Sequence, residues 1–117
     1  DWFSGKSRDR GAPMGPYVTP IEFLPNHANL RLVTKVNDRV VQDGNTKDMI
    51  YDSGRLLYHV SNIMTLYPGD VIASGTPDGV GAGRKPPEFL KPGDVVSIEI
   101  EGIGTLVTPI QAAQPAS

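Results

Sequence analysis

The sequence predicts a mainly β fold, a β-sandwich or roll, that carries one amphipathic helix. About five to seven short apolar runs are separated by turn residues, whereas only one stretch repeats its apolar residues at helical spacing. The 117 residues include 13 glycines and 11 prolines, which favours a fold with many turns. This length suits one domain, so we expect residues 1–110 to form it and 111–117 to be a flexible tail.

The first half of the chain is predicted to contain a loop, a helical turn and a β-hairpin. Residues 1–16 are rich in glycine, proline and charge, which indicates an irregular loop. A single helical turn is expected at 20–23, because proline suits the first helical position. Residues 30–36 and 39–43 are predicted strands joined by a short Asn-Asp turn, which makes a hairpin the expected arrangement.

The second half is predicted to contain the helix and further strands. Residues 52–66 have the helical apolar spacing, and a Pro-Gly pair follows that ends the helix. The apolar positions are Leu56, Leu57, Val60, Ile63, Met64 and Tyr67. A strand is expected at 70–74, followed by a glycine-rich loop to residue 87, and two strands at 95–100 and 105–107 surround a glycine turn.

Composition excludes several classes of protein. Eleven basic and 13 acidic residues give a net charge of -2, without the basic stripe of a nucleic-acid-binding protein or a polybasic run for a membrane surface. The absence of cysteine excludes disulfides, zinc ribbons and thiol catalysis, and it is compatible with the cytoplasm, where we expect the protein to act. No stretch is apolar for long enough to form a transmembrane helix.

Lys6 is the first candidate functional residue. Gly5-Lys6-Ser7 matches the end of a phosphate-binding P-loop, but glycines and prolines follow at once and oppose the helix that such a lysine must open. Nucleotide binding is therefore disfavoured. Lys6 lies in a predicted irregular loop, where it has no role in a strand, so it is still a candidate catalytic residue. The alternative is a loop lysine that is simply exposed to solvent.

A second candidate is the segment Ser74-Gly75-Thr76-Pro77-Asp78-Gly79. A predicted strand ends there in a rigid turn, and small residues let the backbone and the Thr76 hydroxyl approach a ligand closely. A purely structural turn is the alternative. The glycines that follow do not form a dinucleotide site, because Arg-Lys-Pro-Pro at 84–87 prevents the required helix.

The remaining polar residues are weaker candidates. Glu99 and Glu101 are two apart on a predicted strand and could hold a divalent cation, although such a pair is usually the solvent face of an edge strand. His27 and His59 show no metal-ligand spacing, and His59 is expected to be exposed on the helix. No G-x-S-x-G motif supports a serine hydrolase.

Motifs in the same order along nearly the whole chain carry a family resemblance. They are Trp2-Phe3-Ser4-Gly5-Lys6-Ser7 with Pro13-Met14-Gly15-Pro16, Val36-Asn37-Asp38 with Gln42, Asn45-Thr46 and Met49-Ile50, Leu66-x-Pro68-Gly69-Asp70-Val71-Ile72 with Gly75-Thr76-Pro77-x-Gly79-Val80-Gly81, Phe89-Leu90-Lys91-Pro92-Gly93-Asp94, and Ile100-Glu101-Gly102-Ile103-Gly104. In these motifs the chain resembles the fumarylacetoacetate hydrolase superfamily, in its shorter bacterial acylpyruvate-hydrolase or isomerase branch.

The resemblance implies a mixed β-sandwich roll, a homodimer and a divalent cation, usually Mg²⁺ but also Mn²⁺ or Ca²⁺. It implies a small 2-oxo acid or 1,3-diketo acid as substrate, in 2-oxo-acid or aromatic catabolism. The reaction expected is hydrolysis of a C–C bond, and isomerisation or decarboxylation of a 2-oxo-enol acid is the alternative within the family. A non-catalytic dimerisation module that retains the fold is the alternative from another class.

The resemblance also assigns roles by position. Lys6 matches the family's active-site lysine, and Thr76 matches its substrate-binding threonine, with Gly75 beside it. Asp9 matches a loop aspartate to which we assign no chemical role. The family's Glu-x-Glu and aspartate metal ligands lie upstream of the lysine loop, so we expect no metal ligand in this chain. Residues 1–110 would then be the C-terminal part of a catalytic domain and inactive alone.

Overall fold

The computed structural model describes residues 2–112, which form two helices and four strands. The helices are α1 (Trp2–Lys6) and α2 (Ser53–Ser61), and the strands are β1 (Arg31–Val36), β2 (Arg39–Asn45), β3 (Val95–Ile100) and β4 (Gly104–Pro109). Single 3-10 turns occur at Ile21–Phe23, Thr46–Asp48 and Gly81–Gly83. Within the described range, neither helix has the length and apolar character needed to cross a lipid bilayer.

The four strands form one antiparallel sheet in the order β2-β1-β3-β4. The predicted hairpin is confirmed as β1 and β2, whose register shifts between Thr34 and Lys35. Its turn residues Asn37 and Asp38 have φ values of 49° and 67°, which is the left-handed conformation that a two-residue hairpin turn requires. Asn and Asp tolerate this conformation better than other non-glycine residues, which explains their presence in the turn.

Two of the buried residues of the described chain lie in the segment before β1, and the third lies in the middle of that strand. They are Leu24, Leu30 and Thr34. The Leu24 side chain faces the β3–β4 turn, where it lies 3.4 Å from the position that a Cβ would take at Gly102. The hydroxyl of Thr46 accepts a hydrogen bond from the Leu30 amide at 2.8 Å and donates to the His27 carbonyl at 2.9 Å. These contacts fix the entry and the exit of the hairpin relative to each other.

α2 confirms the predicted type of element but ends earlier than residue 66. Asp52 begins the helix, because its carboxylate accepts a hydrogen bond from a backbone amide of the first turn at 2.8 Å. After Ser61, the side-chain amide of Asn62 donates to the carbonyl of Tyr58 at 2.7 Å. This side-chain bond satisfies one of the last helical carbonyls and closes the helix there.

Three predictions about secondary structure are wrong. Residues 2–6 are helical rather than part of a loop, because the helix-breaking prolines and most glycines of 1–16 come after Lys6. The segment 70–74 is not a strand, since no neighbouring strand pairs with it and Val71 is exposed. The described chain therefore has four strands rather than five to seven. Most of the predicted tail, 113–117, lies outside the described residues.

Candidate functional site

The loop formed by residues 75–79 is the candidate site, and it lies directly against β2. Pro77 packs on Gly44 of the strand, where an added Cβ would lie 2.8 Å from the Pro77 Cβ. At the other end of the loop, a Cβ on Gly79 would lie 2.1 Å from the carbonyl oxygen of Val41. Glycine at these two positions therefore permits a loop-to-strand distance that any side chain would prevent.

Gln42 attaches the loop to the sheet. It pairs with the buried Thr34 across the hairpin, so the two side chains lie on the same face of the sheet. Its amide nitrogen donates to the Thr76 hydroxyl oxygen at 2.9 Å, to the Pro77 carbonyl at 2.9 Å and to the Asp78 carbonyl at 3.2 Å. One strand side chain thus holds three consecutive residues of the loop.

Arg84 fastens the end of the loop to the same strand. Its guanidinium donates to the Val41 carbonyl at 3.0 Å and to the Gly79 carbonyl at 3.2 Å. It also forms an ion pair at 3.4 Å with Glu88, which accepts hydrogen bonds from Arg39 as well. The Arg39 bond, with a smaller contribution from Arg84, holds the pKa of the Glu88 carboxyl below its ordinary value. Arg84 is thereby oriented by a carboxylate while it binds two carbonyls.

Thr76 and Gly75 form the open side of this loop. Gly75 has φ of 110°, and a Cβ there would meet no heavy atom within 4 Å, so conformation rather than crowding requires glycine. Thr76 is exposed although its hydroxyl oxygen is held by Gln42. A threonine hydroxyl has one donor and two acceptor positions, so this one can still donate to a ligand.

Lys6 is exposed and ends α1. The Thr76 hydroxyl oxygen is held by the side-chain amide of Gln42. Asp9 is also exposed, in the turn that follows the helix. The structure therefore brings Thr76 together with Gln42, and the chemical roles of Lys6, Thr76 and Gly75 stay predictions.

The glutamate pair is associated with an arginine. Glu101 accepts a hydrogen bond from the Arg31 backbone amide at 3.2 Å, while Glu99 is exposed on β3. The Arg31 guanidinium binds both carboxylate oxygens of Asp43, at 2.8 and 2.6 Å. This bidentate pair raises the pKa of Arg31 and lowers that of Asp43. Arg31 therefore places a cation beside the glutamates, where a metal ion would have to bind.

The residues present do not fit a divalent-metal site on their own. His27 lies in a turn and His59 on α2, and both are exposed, as expected for His59. Across residues 2–112, no group of three or more histidine, cysteine, aspartate or glutamate side chains is close enough together to hold a metal ion. Metal binding by this segment would need ligands from elsewhere.

Sequence reasoning missed the two residues that fix the loop, Gln42 and Arg84. Their loop and strand partners Thr76 and Val41 are 34 and 43 residues away in the chain, so no local pattern connects them. Gln42 occupies an ordinary polar position of a predicted strand, and Arg84 follows a glycine run. The family motifs offered the one available signal for Gln42, which they include. They do not include Arg84, so no signal was available for that residue.

Comparison with known proteins identifies the family. The sequence model of the fumarylacetoacetate (FAA) hydrolase C-terminal domain matches residues 1–111 of the chain. The chain belongs to the fumarylacetoacetate hydrolase family. The resemblance seen in the motifs is thus confirmed, and the members of this family found among solved structures include hydrolases and isomerases.

Curated relatives and solved structures agree with this assignment. An uncharacterised protein of Staphylococcus aureus is 51% identical over 108 residues, which are 92% of this chain and 36% of that protein. The fumarylacetoacetate hydrolase of Exiguobacterium antarcticum superposes with a TM-score of 0.89 and 44% identity, over 94% of this chain and 39% of that one. The chain therefore spans little more than a third of the length of these relatives.

Two further structures differ in the activity that they are named for. A maleylpyruvate hydrolase of Sphingobium sp. SYK-6, in complex with manganese(II) and pyruvate, has a TM-score of 0.80 and 35% identity, covering 89% of this chain and 37% of that one. A 5-carboxymethyl-2-hydroxymuconate delta-isomerase of Mycobacterium smegmatis has a TM-score of 0.83 and 39% identity, covering 97% and 42%. Family membership alone does not choose between these reactions.

Proposed function

We propose that the protein is a metal-dependent hydrolase that cleaves C–C bonds in acylpyruvates and related 1,3-diketo acids. The observation that carries the proposal is the exposed Thr76 hydroxyl, held by Gln42 in a loop that is fixed to the sheet. The Sphingobium relative supports the substrate class, because the ligand in its structure is pyruvate, a 2-oxo acid. In the proposal, Thr76 and the backbone at Gly75 bind the carboxylate end of the substrate.

The chemistry explains why these residue types are needed. Water adds to the acyl carbonyl group, and the neighbouring C–C bond then breaks, which releases a carboxylic acid and leaves the enolate of the 2-oxo acid next to its carboxylate. Negative charge grows on this enolate as the bond breaks, until a proton is added to its carbon. A threonine hydroxyl can donate a charge-assisted hydrogen bond to the carboxylate and fix its orientation. The Lys6 ammonium group supplies a positive charge, which is worth most when it is positioned before the reaction begins. Thr76 thus orients the substrate, and Lys6 stabilises the charge that develops.

The metal ligands are proposed to come from residues outside this chain. Residues 2–112 offer no suitable cluster, and the Sphingobium relative contains manganese(II). A divalent cation, Mg²⁺ or alternatively Mn²⁺ or Ca²⁺, would polarise the 2-oxo carbonyl when it is bound. We also propose that the four-stranded sheet is part of a larger mixed β-sandwich roll and that the protein is a homodimer.

An isomerase that interconverts enol and keto forms of a 2-oxo acid, or a decarboxylase, is the second candidate. The delta-isomerase of Mycobacterium smegmatis favours it, since that protein covers more of this chain than the Sphingobium hydrolase does. Both reactions pass through an enolate beside a carboxylate, so the same roles of Thr76 and Lys6 apply. The products distinguish them, because hydrolysis releases two acids whereas isomerisation conserves the mass of the substrate.

The test is an assay of the full-length protein on acylpyruvates with Mg²⁺, Mn²⁺ or Ca²⁺. We expect turnover that a chelator abolishes and an added cation restores. Lys6→Ala should lower kcat/KM by about 100-fold or more, as for the loss of a charge-stabilising donor. Lys47→Ala is the matched control, since Lys47 is an exposed lysine in a 3-10 turn.

Three results would contradict parts of this proposal. An unchanged kcat/KM in Lys6→Ala would remove Lys6 from the mechanism. Turnover without release of pyruvate would replace the hydrolase by the isomerase or decarboxylase. Absence of turnover with every cation would favour a non-catalytic dimerisation module.

A further inference from the structure

The hydrogen bonds of Gln42 fix which end of its side-chain amide faces the loop. An amide NH₂ group has two N–H donors, and here three acceptors surround it. Two of the three are the backbone carbonyls of Pro77 and Asp78, and carbonyl oxygens can only accept. The nitrogen must therefore point at the loop, since a flipped amide would place its own oxygen against both carbonyls.

This orientation determines the direction of the Thr76 hydroxyl. Because Gln42 presents a donor, the Thr76 oxygen accepts from it at 2.9 Å. The hydroxyl proton cannot be shared with the same N–H group and must point elsewhere. Gln42 is the hydrogen-bond partner that residues 2–112 offer to Thr76, and the residue is exposed, so the proton is directed away from the strand.

We propose that Gln42 is a positioning residue that makes Thr76 a hydrogen-bond donor to the substrate carboxylate. This inference rests on the proposed function, because it assigns the carboxylate of a 2-oxo acid as the acceptor. Gln42 itself does not touch the substrate. It occupies one lone pair of the hydroxyl oxygen and holds the side chain in one rotamer, so that the free proton is already aimed at the ligand.

A double-mutant cycle on the full-length protein tests this role, with pyruvate binding in the presence of Mg²⁺ or Mn²⁺ measured by calorimetry. Thr76→Val removes the donor to a charged group and should weaken binding by about 10- to 150-fold. Gln42→Leu keeps the approximate size but loses the amide, and should weaken binding by about 3- to 10-fold. In the Thr76→Val background the Gln42→Leu change should cost clearly less than in the wild type, because the hydroxyl is already absent and only the hydrogen bonds to the Pro77 and Asp78 carbonyls are lost.

Arg84→Met is the matched control for a merely structural effect. Arg84 also ties the loop to β2 through the Gly79 and Val41 carbonyls, but it does not touch the Thr76 hydroxyl. Its effect on pyruvate affinity should therefore be the same with and without Thr76→Val. If Gln42→Leu shows equal losses in both backgrounds, as Arg84→Met is expected to, Gln42 only supports the loop and the inference is wrong.

A second readout does not depend on pyruvate. Three-bond NMR couplings of Thr76 report its χ1 angle, which should be a single rotamer in the wild type and averaged in Gln42→Leu. An averaged χ1 in the wild type, or an unchanged one in Gln42→Leu, would overturn the positioning role. The wild type could also show a fixed χ1 that is lost in Gln42→Leu and yet fail to bind pyruvate. In that case Gln42 positions the hydroxyl, but the 2-oxo acid is not the ligand and the proposed function is wrong.

Discussion

Replacing Gly79 with alanine is expected to detach the loop 75–79 from β2. The new Cβ would lie 2.1 Å from the Val41 carbonyl oxygen, whereas carbon–oxygen contacts in proteins are about 3.3 Å or longer. The loop would have to move by more than about 1 Å. That movement breaks hydrogen bonds from Gln42 and Arg84, and each is worth about 0.5–1.5 kcal/mol.

The free-energy change follows from strain and lost hydrogen bonds together. Gly79 has φ of 96°, a conformation that costs alanine about 1–2 kcal/mol. With two or three hydrogen bonds weakened as well, Gly79→Ala should lower the free energy of unfolding by roughly 3–5 kcal/mol. This is a large share of the stability of an ordinary domain, which is about 5–15 kcal/mol.

Gly75→Ala is the control, because the two positions share a positive φ but differ in their surroundings. A Cβ at Gly75 would meet no heavy atom within 4 Å, so we expect only the conformational cost of about 1–2 kcal/mol. Urea unfolding of the full-length protein, followed by circular dichroism, gives both values by linear extrapolation. Equal destabilisation by the two changes would refute the conclusion that close packing against Val41 holds the loop.

Two further predictions concern carboxylates and the hairpin turn. Hydrogen bonds lower the pKa of Asp43, Glu88 and Asp94, so these groups stabilise the fold fully above their ordinary pKa near 4 and lose that contribution as the pH falls through their lowered values. The urea concentration at the unfolding midpoint should decrease as the pH drops below about 4, and this decrease should be less steep in 1 M NaCl. A midpoint that does not change with pH would contradict this prediction. Asn37→Ala should cost about 2 kcal/mol, because it loses a bond to Asp94 at 2.7 Å and another to a β3 amide. Asp38→Ala is the comparison, because Asp38 also has a positive φ. An equal loss of stability in the two variants would show that the hydrogen bonds of Asn37 do not stabilise the fold.

The four strands of the sheet and its first hairpin could be predicted from the sequence because their signals are local, whereas the pairing of β1 with β3 joins residues 60 to 68 positions apart and was not predicted. Alternating apolar and polar residues gave the strands, and the Asn-Asp pair gave the hairpin turn that the φ values of Asn37 and Asp38 confirm. β3 has the bounds that the pattern predicts, and β4 is longer by one residue at its start and two at its end. β1 pairs with β2 and β3 pairs with β4, and in both pairs the second strand follows the first within a few residues.

The failures share a physical cause, which is dependence on distant parts of the chain. The apolar run 70–74 resembles a strand, but a strand exists only where another backbone pairs with it, and none does so within residues 2–112. The attachment of Thr76 was missed for the same reason, because Gln42 is far away in sequence. Motif resemblance compensates in part, since it marked Thr76 and included Gln42 without giving it a role.

A crystal structure of the full-length protein with Mn²⁺ and pyruvate would show whether Thr76 binds the carboxylate of the substrate. We expect the Thr76 hydroxyl oxygen to lie within about 3 Å of a carboxylate oxygen of pyruvate, while the Gln42 amide nitrogen still donates to that hydroxyl. The metal ligands should be residues outside this chain. Pyruvate bound with its carboxylate away from Thr76, or a Thr76 hydroxyl turned towards Gln42 as a donor, would contradict the proposed function of this loop.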